Sequence, residues 1–304
     1  MVGGDGLGSP VQRICVFAIL GRKSSNTMAT IDPLSQRRIP QPAPRSWSST
    51  VLIIVLLLAS LRVQAKCADV GVSFWPSGSV VPRNAVFVIG GVARDASFLK
   101  SLGSPSKVEL RSGKHTVCLD VHAILDDQAG MTQVLLHPDA LLDTGRRYQL
   151  WIEGYAKHKR GNNALIGPLP VPALPSWKAG DFSHRQRLSW QKKPKVVKRY
   201  KSIHFCPQSD YVAFQGGVAS KREYLVRAHL RPKGNKRYWT AFIEPDAEGQ
   251  IHVGQVGCGG VFCLSGWATL EVKFDLMDIA GKVVPWTGKP IVFQPADRAG
   301  IDML

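Results

Sequence analysis

The chain has 304 residues, of which 44% are hydrophobic and 20% charged, with 29 glycines and 20 prolines. This balance excludes wholesale disorder and suits about two domains, and the glycine and proline content fits short strands joined by many turns. The formal net charge of +17 bears on partners and solubility rather than on fold.

Residues 1–65 read as a targeting segment. Residues 51–61, VLIIVLLLASL, contain eleven apolar or small side chains and no charge. Spanning a bilayer takes about 20 such residues, whereas a signal-peptide core takes about 7–15. Arg37, Arg38 and Arg45 supply the positive flank, and Val63-Gln64-Ala65 fits the small-x-small cleavage pattern, which places the cut after Ala65. Export to the periplasm, outer surface or extracellular space is therefore expected. Two readings compete: a buried core helix, and an uncleaved anchor in the inner membrane, since residues 48–65 nearly span if Arg62 snorkels. The stretch before the apolar core is long for a signal, which makes Met28 a candidate start. Arg37-Arg38 is a poor twin-arginine match, and Lys66 before Cys67 breaks the lipoprotein pattern.

Residues 66–155 read as one domain, in which residues 70–155 alternate with the period of half-buried strands. Strands are predicted at 70–75, 85–89, 107–111, 115–122, 132–136 and 147–153, with Ser112-Gly113 as a hairpin turn and a polar turn at 126–130. Phe74-Trp75-Pro76-Ser77-Gly78 followed by Val81-Pro82-Arg83-Asn84-Ala85 resembles the opening of bacterial Ig-like domains of the S-layer type. Pro138 to Leu150, with Gly145 and Tyr148, is similar to that family's closing pattern, in which a tyrosine sits on the last strand. Residues 94–106 stand outside the pattern. The resemblance implies a β-sandwich used as a spacer or adhesion module, and it implies no active site.

Residues 156–176 carry Pro168, Pro170, Pro172 and Pro175 and read as a stiff linker or crossing loop. Residues 177–296 read as a second β-sandwich, with strands at 201–205, 211–214, 224–230, 238–243, 251–255, 261–264, 269–275 and 290–293 and turns at 246–249 and 278–281. The turn Asp278-Ile279-Ala280-Gly281 resembles one common near the end of Ig-like domains. Residues 297–304 read as a frayed tail. The fold class expected is all-β, with two Ig-like sandwiches in tandem after the signal segment.

After cleavage five cysteines remain: Cys67, Cys118, Cys206, Cys258 and Cys263. An odd number leaves at least one thiol unpaired or bonded to another molecule. Cys258 and Cys263 are separated by four residues, which suits a disulfide in an exported protein better than a zinc half-site. Cys206 is a further candidate for either bond, and Cys67 with Cys118 is a candidate staple of the first domain. Each bridge would contribute about 2–4 kcal/mol.

Residues 178–201 hold nine Lys/Arg and one acid, Asp181, with Trp177, Trp190 and Tyr200 interleaved. Lys192, Lys193, Lys195, Lys198, Arg199 and Lys201 are the candidate contacts to a polyanion, with the aromatics available for stacking. A solvated basic loop is the bland alternative. The partners implied are an anionic polysaccharide, a lipid surface or another envelope protein, ahead of nucleic acid.

The sequence offers no catalytic, metal or cofactor motif. There is no G-x-S-x-G elbow, H-E-x-x-H or phosphate loop. His115 and His122 fall on opposite faces of one strand, while Asp120 and His122 can pair at the surface. Asp246, Asp275 and Asp278 lack the alternation of a calcium loop. Trp239, Trp267 and Trp286 suit a sandwich core better than a sugar platform. The leading expectation is a non-enzymatic Ig-like spacer or binding module of the cell envelope. A binder of anionic glycans or membrane surfaces through 178–201, and an enzyme whose site is assembled from distant residues, stand beside it.

Overall fold

A computed structural model describes residues 71–303 except 93, 104–105, 127–129, 161–172, 183–187, 203–208, 221, 257–258 and 297–299. The targeting segment, with its cleavage site, lies outside the described residues.

The fold is all-β. The first lobe contains β1 (Ser73–Trp75), β2 (Val80–Pro82), β3 (Phe87–Val92), β4 (Val108–Ser112), β5 (His115–Asp126), β6 (Met131–Pro138), β7 (Arg147–Ile152) and β8 (Ser176–Gly180), plus helices α1 (Arg94–Lys100) and α2 (Tyr155–Arg160). Its sheet runs β1-β3-β6-β5-β4-β7-β8-β2. The first turns of β5 pair with β4 and the remainder pairs with β6, with a bulge between Val121 and Ala123. The change of partner falls between Cys118 and Leu119, and the bulge beyond it adds a local bend to the strand. Ser112 pairs with His115 across a two-residue turn in which Gly113 has φ +60°, a conformation easy only for glycine.

Aromatic residues close this lobe. Tyr148 is fully buried, and its hydroxyl accepts the Asp143 N–H at 3.0 Å. A tyrosine that ties its strand to backbone a few residues upstream is a device of Ig-type sandwiches. Trp177 is 2% exposed, lies 4.7 Å from Phe87 between ring centroids, and donates its indole N–H to the Pro76 carbonyl at 3.0 Å.

The second lobe contains β9 (Ser189–Lys201), β10 (Asp210–Ala219), β11 (Tyr224–Pro232), β12 (Trp239–Ile243), β13 (Gln250–Val256), β14 (Gly259–Gly260), β15 (Leu270–Asp278), β16 (Val283–Val284), β17 (Ile291–Phe293) and β18 (Gly300–Met303). One sheet runs β14-β13-β10-β9-β18; the other runs β12-β11-β15-β16, with β17 also beside β15. Their facing apolar sides share a core in which Phe214 meets Phe274 and Phe293 edge-on, both at 5.2 Å. Such T-shaped contacts add to burial by about 1 kcal/mol each.

The outer face of the β12-β11-β15 sheet changes character along its length. At one end Leu225, Phe242 and Met277 join the core of the first lobe, where the Gln133 amide exchanges two 2.7 Å hydrogen bonds with the Phe242 backbone. Beyond the reach of that lobe the same face is polar: Arg227, His229 and Arg231 on β11 oppose Asp275, Lys273 and Glu271 on β15.

Several expectations need correction. Residues 176–180 form β8, which pairs with β7 and β2 and so belongs to the first lobe rather than opening the second. The charge of Lys178 disguised a strand whose alternate residues, Trp177 and Ala179, are buried. Residues 156–160 of the expected linker belong to the helix Tyr155–Arg160, and its prolines at 168, 170 and 172 lie outside the described residues. Residues 261–264 are all buried without strand pairing, since four consecutive inward side chains defeat alternation. Residues 300–303 of the expected tail pair with β9 as β18.

Candidate functional site

The basic stretch is divided by the fold. Most of it is strand β9, not a loop, and it begins well before the strand expected at 201–205. Lys192, Lys193 and Lys195 are exposed, and across from them on β10 stand Gly217 and Gln215, which carry no charge. The β9–β10 register shifts twice near Gly217, and Gly216 brings β10 so close that a Cβ there would lie 2.8 Å from Trp190. These bulges let the neighbouring Lys192 and Lys193 both reach solvent. On its other side β9 pairs with β18 only from Lys198 to Lys201, so among the described residues the 189–195 half is an open edge.

The second half of β9 is half-buried. Lys198 lies 5.6 Å from the Tyr200 ring, Tyr200 stacks on Tyr211 at 5.3 Å, and Arg199 donates Nε to the Gln294 carbonyl at 3.0 Å. Lys201 stands opposite Asp210. Of the six expected polyanion contacts, three therefore form an exposed row and three are engaged in the sheet. Lys178 and Trp177 belong to β8, Trp190 packs edge-on to Trp286 at 5.9 Å, and Arg185 and Arg187 lie outside the described residues.

A polar network on the outer face of β11, β12 and β15 had not been singled out from sequence. Asp275 accepts His229 Nε2 at 3.0 Å, Arg227 Nε at 3.0 Å, Arg227 Nη2 at 2.5 Å and the Trp286 N–H at 2.8 Å. Burial alone would push this carboxyl up. The hydrogen bonds from His229, Trp286 and Arg227 outweigh it and hold the group far below the usual carboxylate range. His229 Nδ1 lies 2.9 Å from Thr240 Oγ1. Because Asp275 accepts from Nε2, the neutral imidazole has Nδ1 as an acceptor for the threonine hydroxyl. Carboxylate, imidazole and hydroxyl thus form a chain with the connectivity of a hydrolytic triad. It differs in sharing its carboxylate with an arginine, and among the described residues that line clefts of about 380 and 210 Å³ between the lobes there is neither His229 nor Thr240. The signal for this network was the alternation Arg227-x-His229-x-Arg231 against Glu271-x-Lys273-x-Asp275 on two predicted strands.

Other expected sites resolve more simply. Cys118 is a free, exposed thiol on the outward side of β5, between the inward Val117 and Leu119, so the staple to Cys67 is corrected. Slight desolvation, then the nearby Asp139 and Glu109, push that thiol up and away from the reactive thiolate. Cys263 is buried and disulfide-bonded; Cys67, Cys206 and Cys258 lie outside the described residues. His122 stacks on His137 at 4.6 Å, and His115 reaches Asp143 at 3.5 Å. Asp246 and Asp278 each accept two backbone N–H groups of their own turns. Trp239, Trp267 and Trp286 pack against the second core. Among the described residues no group of three His, Cys, Asp or Glu is placed to hold a metal ion, and no helix is long and apolar enough to cross a membrane.

No family model matches the chain, and no curated protein matches it. Solved structures that resemble it include the pullulanase of Anoxybacillus sp. LM18-11, both complexed with maltotriose and as the enzyme, at 9% and 8% identity. The alignments cover 69% and 68% of this chain but only 24% of the pullulanase chain, with a TM-score of 0.21, a likeness that carries no functional weight.

Proposed function

We propose that this chain is an exported, non-enzymatic β-sandwich module of the cell envelope that docks on an anionic polysaccharide through Lys192, Lys193 and Lys195. The observation that carries this reading is that three exposed lysines lie within four positions of one strand, along an edge left open among the described residues, with no acid partner among them. Three acids of the same lobe are engaged elsewhere, Asp275 with Arg227, Glu271 with Arg231 and Asp246 with His252. Exposed, unneutralised cations release counterions when a polyanion replaces the solvent ions, so binding should be steeply salt-dependent. The buried Tyr148 hydroxyl contact supports the Ig-like reading of the first lobe, and the apolar run at 51–61 supports export.

Lysines and a proline, here Pro194, also guard an open strand edge against pairing with other chains, which is the reading of a plain spacer. Heparin-affinity chromatography separates the two. The docking reading expects K192A/K193A/K195A to lose roughly a hundredfold in affinity, about 1 kcal/mol per lysine, while K198A/R199A/K201A elutes near the unmodified protein. Equal losses for both triples, or no retention of the unmodified chain at about 50 mM salt, would leave only the spacer.

A further inference from the structure

A cleft of about 380 Å³ between the lobes has, among the described residues, four charged ones in its lining: Arg222, Glu223, Asp278 and Lys282. Arg222 is held from two sides. The Ser220 hydroxyl donates to its carbonyl at 2.7 Å and accepts its N–H at 3.2 Å, and its guanidinium carbon lies 3.7 Å from the Phe182 ring centroid. Among the described residues the guanidinium, packed on Phe182, donates to no acceptor, so its planar fork of five donors faces no described partner. The two carboxylates are fixed differently. Glu223 accepts the Ser77 N–H at 2.9 Å and the Ser77 hydroxyl at 3.0 Å. Asp278 accepts the N–H groups of Ala280 at 3.0 Å and Lys282 at 2.8 Å through one oxygen. Both keep lone pairs for further donors.

We propose that this cleft binds a free α-amino acid, its carboxylate on Arg222 and its ammonium between Glu223 and Asp278. A simple anion would gain from Arg222 and Lys282 and lose against the two carboxylates, and a simple cation would do the reverse. Only a ligand carrying both charges gains from both pairs. Leu188 and the edge of Phe182 offer an apolar wall to a side chain. The volume falls at the lower end of the roughly 300–1,000 Å³ usual for small-ligand pockets, which suits a ligand of this size. None of the four charged residues belongs to the lysine row of β9, so the two sites stand or fall separately.

Calorimetric titration of the full chain with glycine, leucine, lysine and glutamate tests this, with acetate and methylammonium as single-charge controls. The expected result is saturable binding of at least one amino acid, with both controls weaker by about tenfold or more. Arg222→Lys keeps the charge but loses the fork, and is expected to weaken the amino acid by about tenfold. Acetate binding as tightly as the amino acid, or no saturation by any amino acid up to about 50 mM, would overturn the proposal. Unchanged affinity in the lysine variant would overturn the role of Arg222, and the comparison of ligands on the unmodified chain decides the matter even where that variant folds poorly.

Discussion

Asp275 and Asp210 sit in the two facing sheets of the second lobe, 7% and 5% exposed, and their carboxyls are pushed in opposite directions. Asp275 lies where the outer face of its sheet turns polar and receives donors from Arg227, His229 and the Trp286 backbone, so its charged form is favoured. Asp210 opens β10 with one carboxylate oxygen buried and unpartnered; burial pushes it up, and Lys201 across the strand pair only partly pulls it back. Equal burial thus says little about a charge, and the number of donors aimed at it decides.

The comparison can be broken most sharply at Asp275. Asp275→Ala strands Arg227, His229 and the Trp286 N–H without an acceptor. We expect a loss of about 3 kcal/mol, at the low end for a buried pair because Arg227 is one-third exposed; urea unfolding at neutral pH measures it. Asp210→Asn should act in the other direction. It replaces a charge that the fold disfavours and should raise stability by about 1 kcal/mol at neutral pH.

The pH dependence sharpens the contrast. The folded value of Asp275 lies below its unfolded value, so its contribution is present above the unfolded carboxylate pKa, about 3.9, and is lost as pH falls below it. Asp210 is raised on folding, so its contribution is present below that pKa and is lost as pH rises through the folded value. The gain in Asp210→Asn should therefore vanish at acid pH. A gain that stays constant with pH would mean that charge is not its cause. The smallest effect is expected for Thr240→Val, which removes one hydrogen bond to a half-buried imidazole: about 1 kcal/mol in the same unfolding assay. A larger loss would mark the threonine as part of a cooperative network.

Much of the fold was legible because the signals were local. The alternation of Val117, Leu119 and their outward neighbours marks β5, and Ser112-Gly113 marks its hairpin. The strand expected at 224–230 lies within β11, and that expected at 269–275 overlaps β15 from Leu270 onward. What misled was charge read as position. Lys178 made β8 look like the start of a basic loop although Trp177 beside it is core, and the run from Lys192 to Lys201 looked like one patch although β18 and the tyrosine stack cover half of it. Cys118 looked like half of a staple because cysteine spacing carries no direction, whereas its strand parity points it outward.

The sequence by itself marked those strands whose apolar period is local, such as β5, β11 and β15, because the period of apolar side chains and the turn residues act within a few positions of one another. It also held, in the alternation around His229 and Asp275, the material of the polar network. Only the tertiary structure decided which strands became neighbours, and therefore which charges found partners. Register across β11, β12 and β15 brought His229, Thr240 and Asp275 together over 46 residues, while along β9 three lysines met no acid among the described residues. Pairing between distant segments depends on where the chain closes on itself, and no local pattern encodes that.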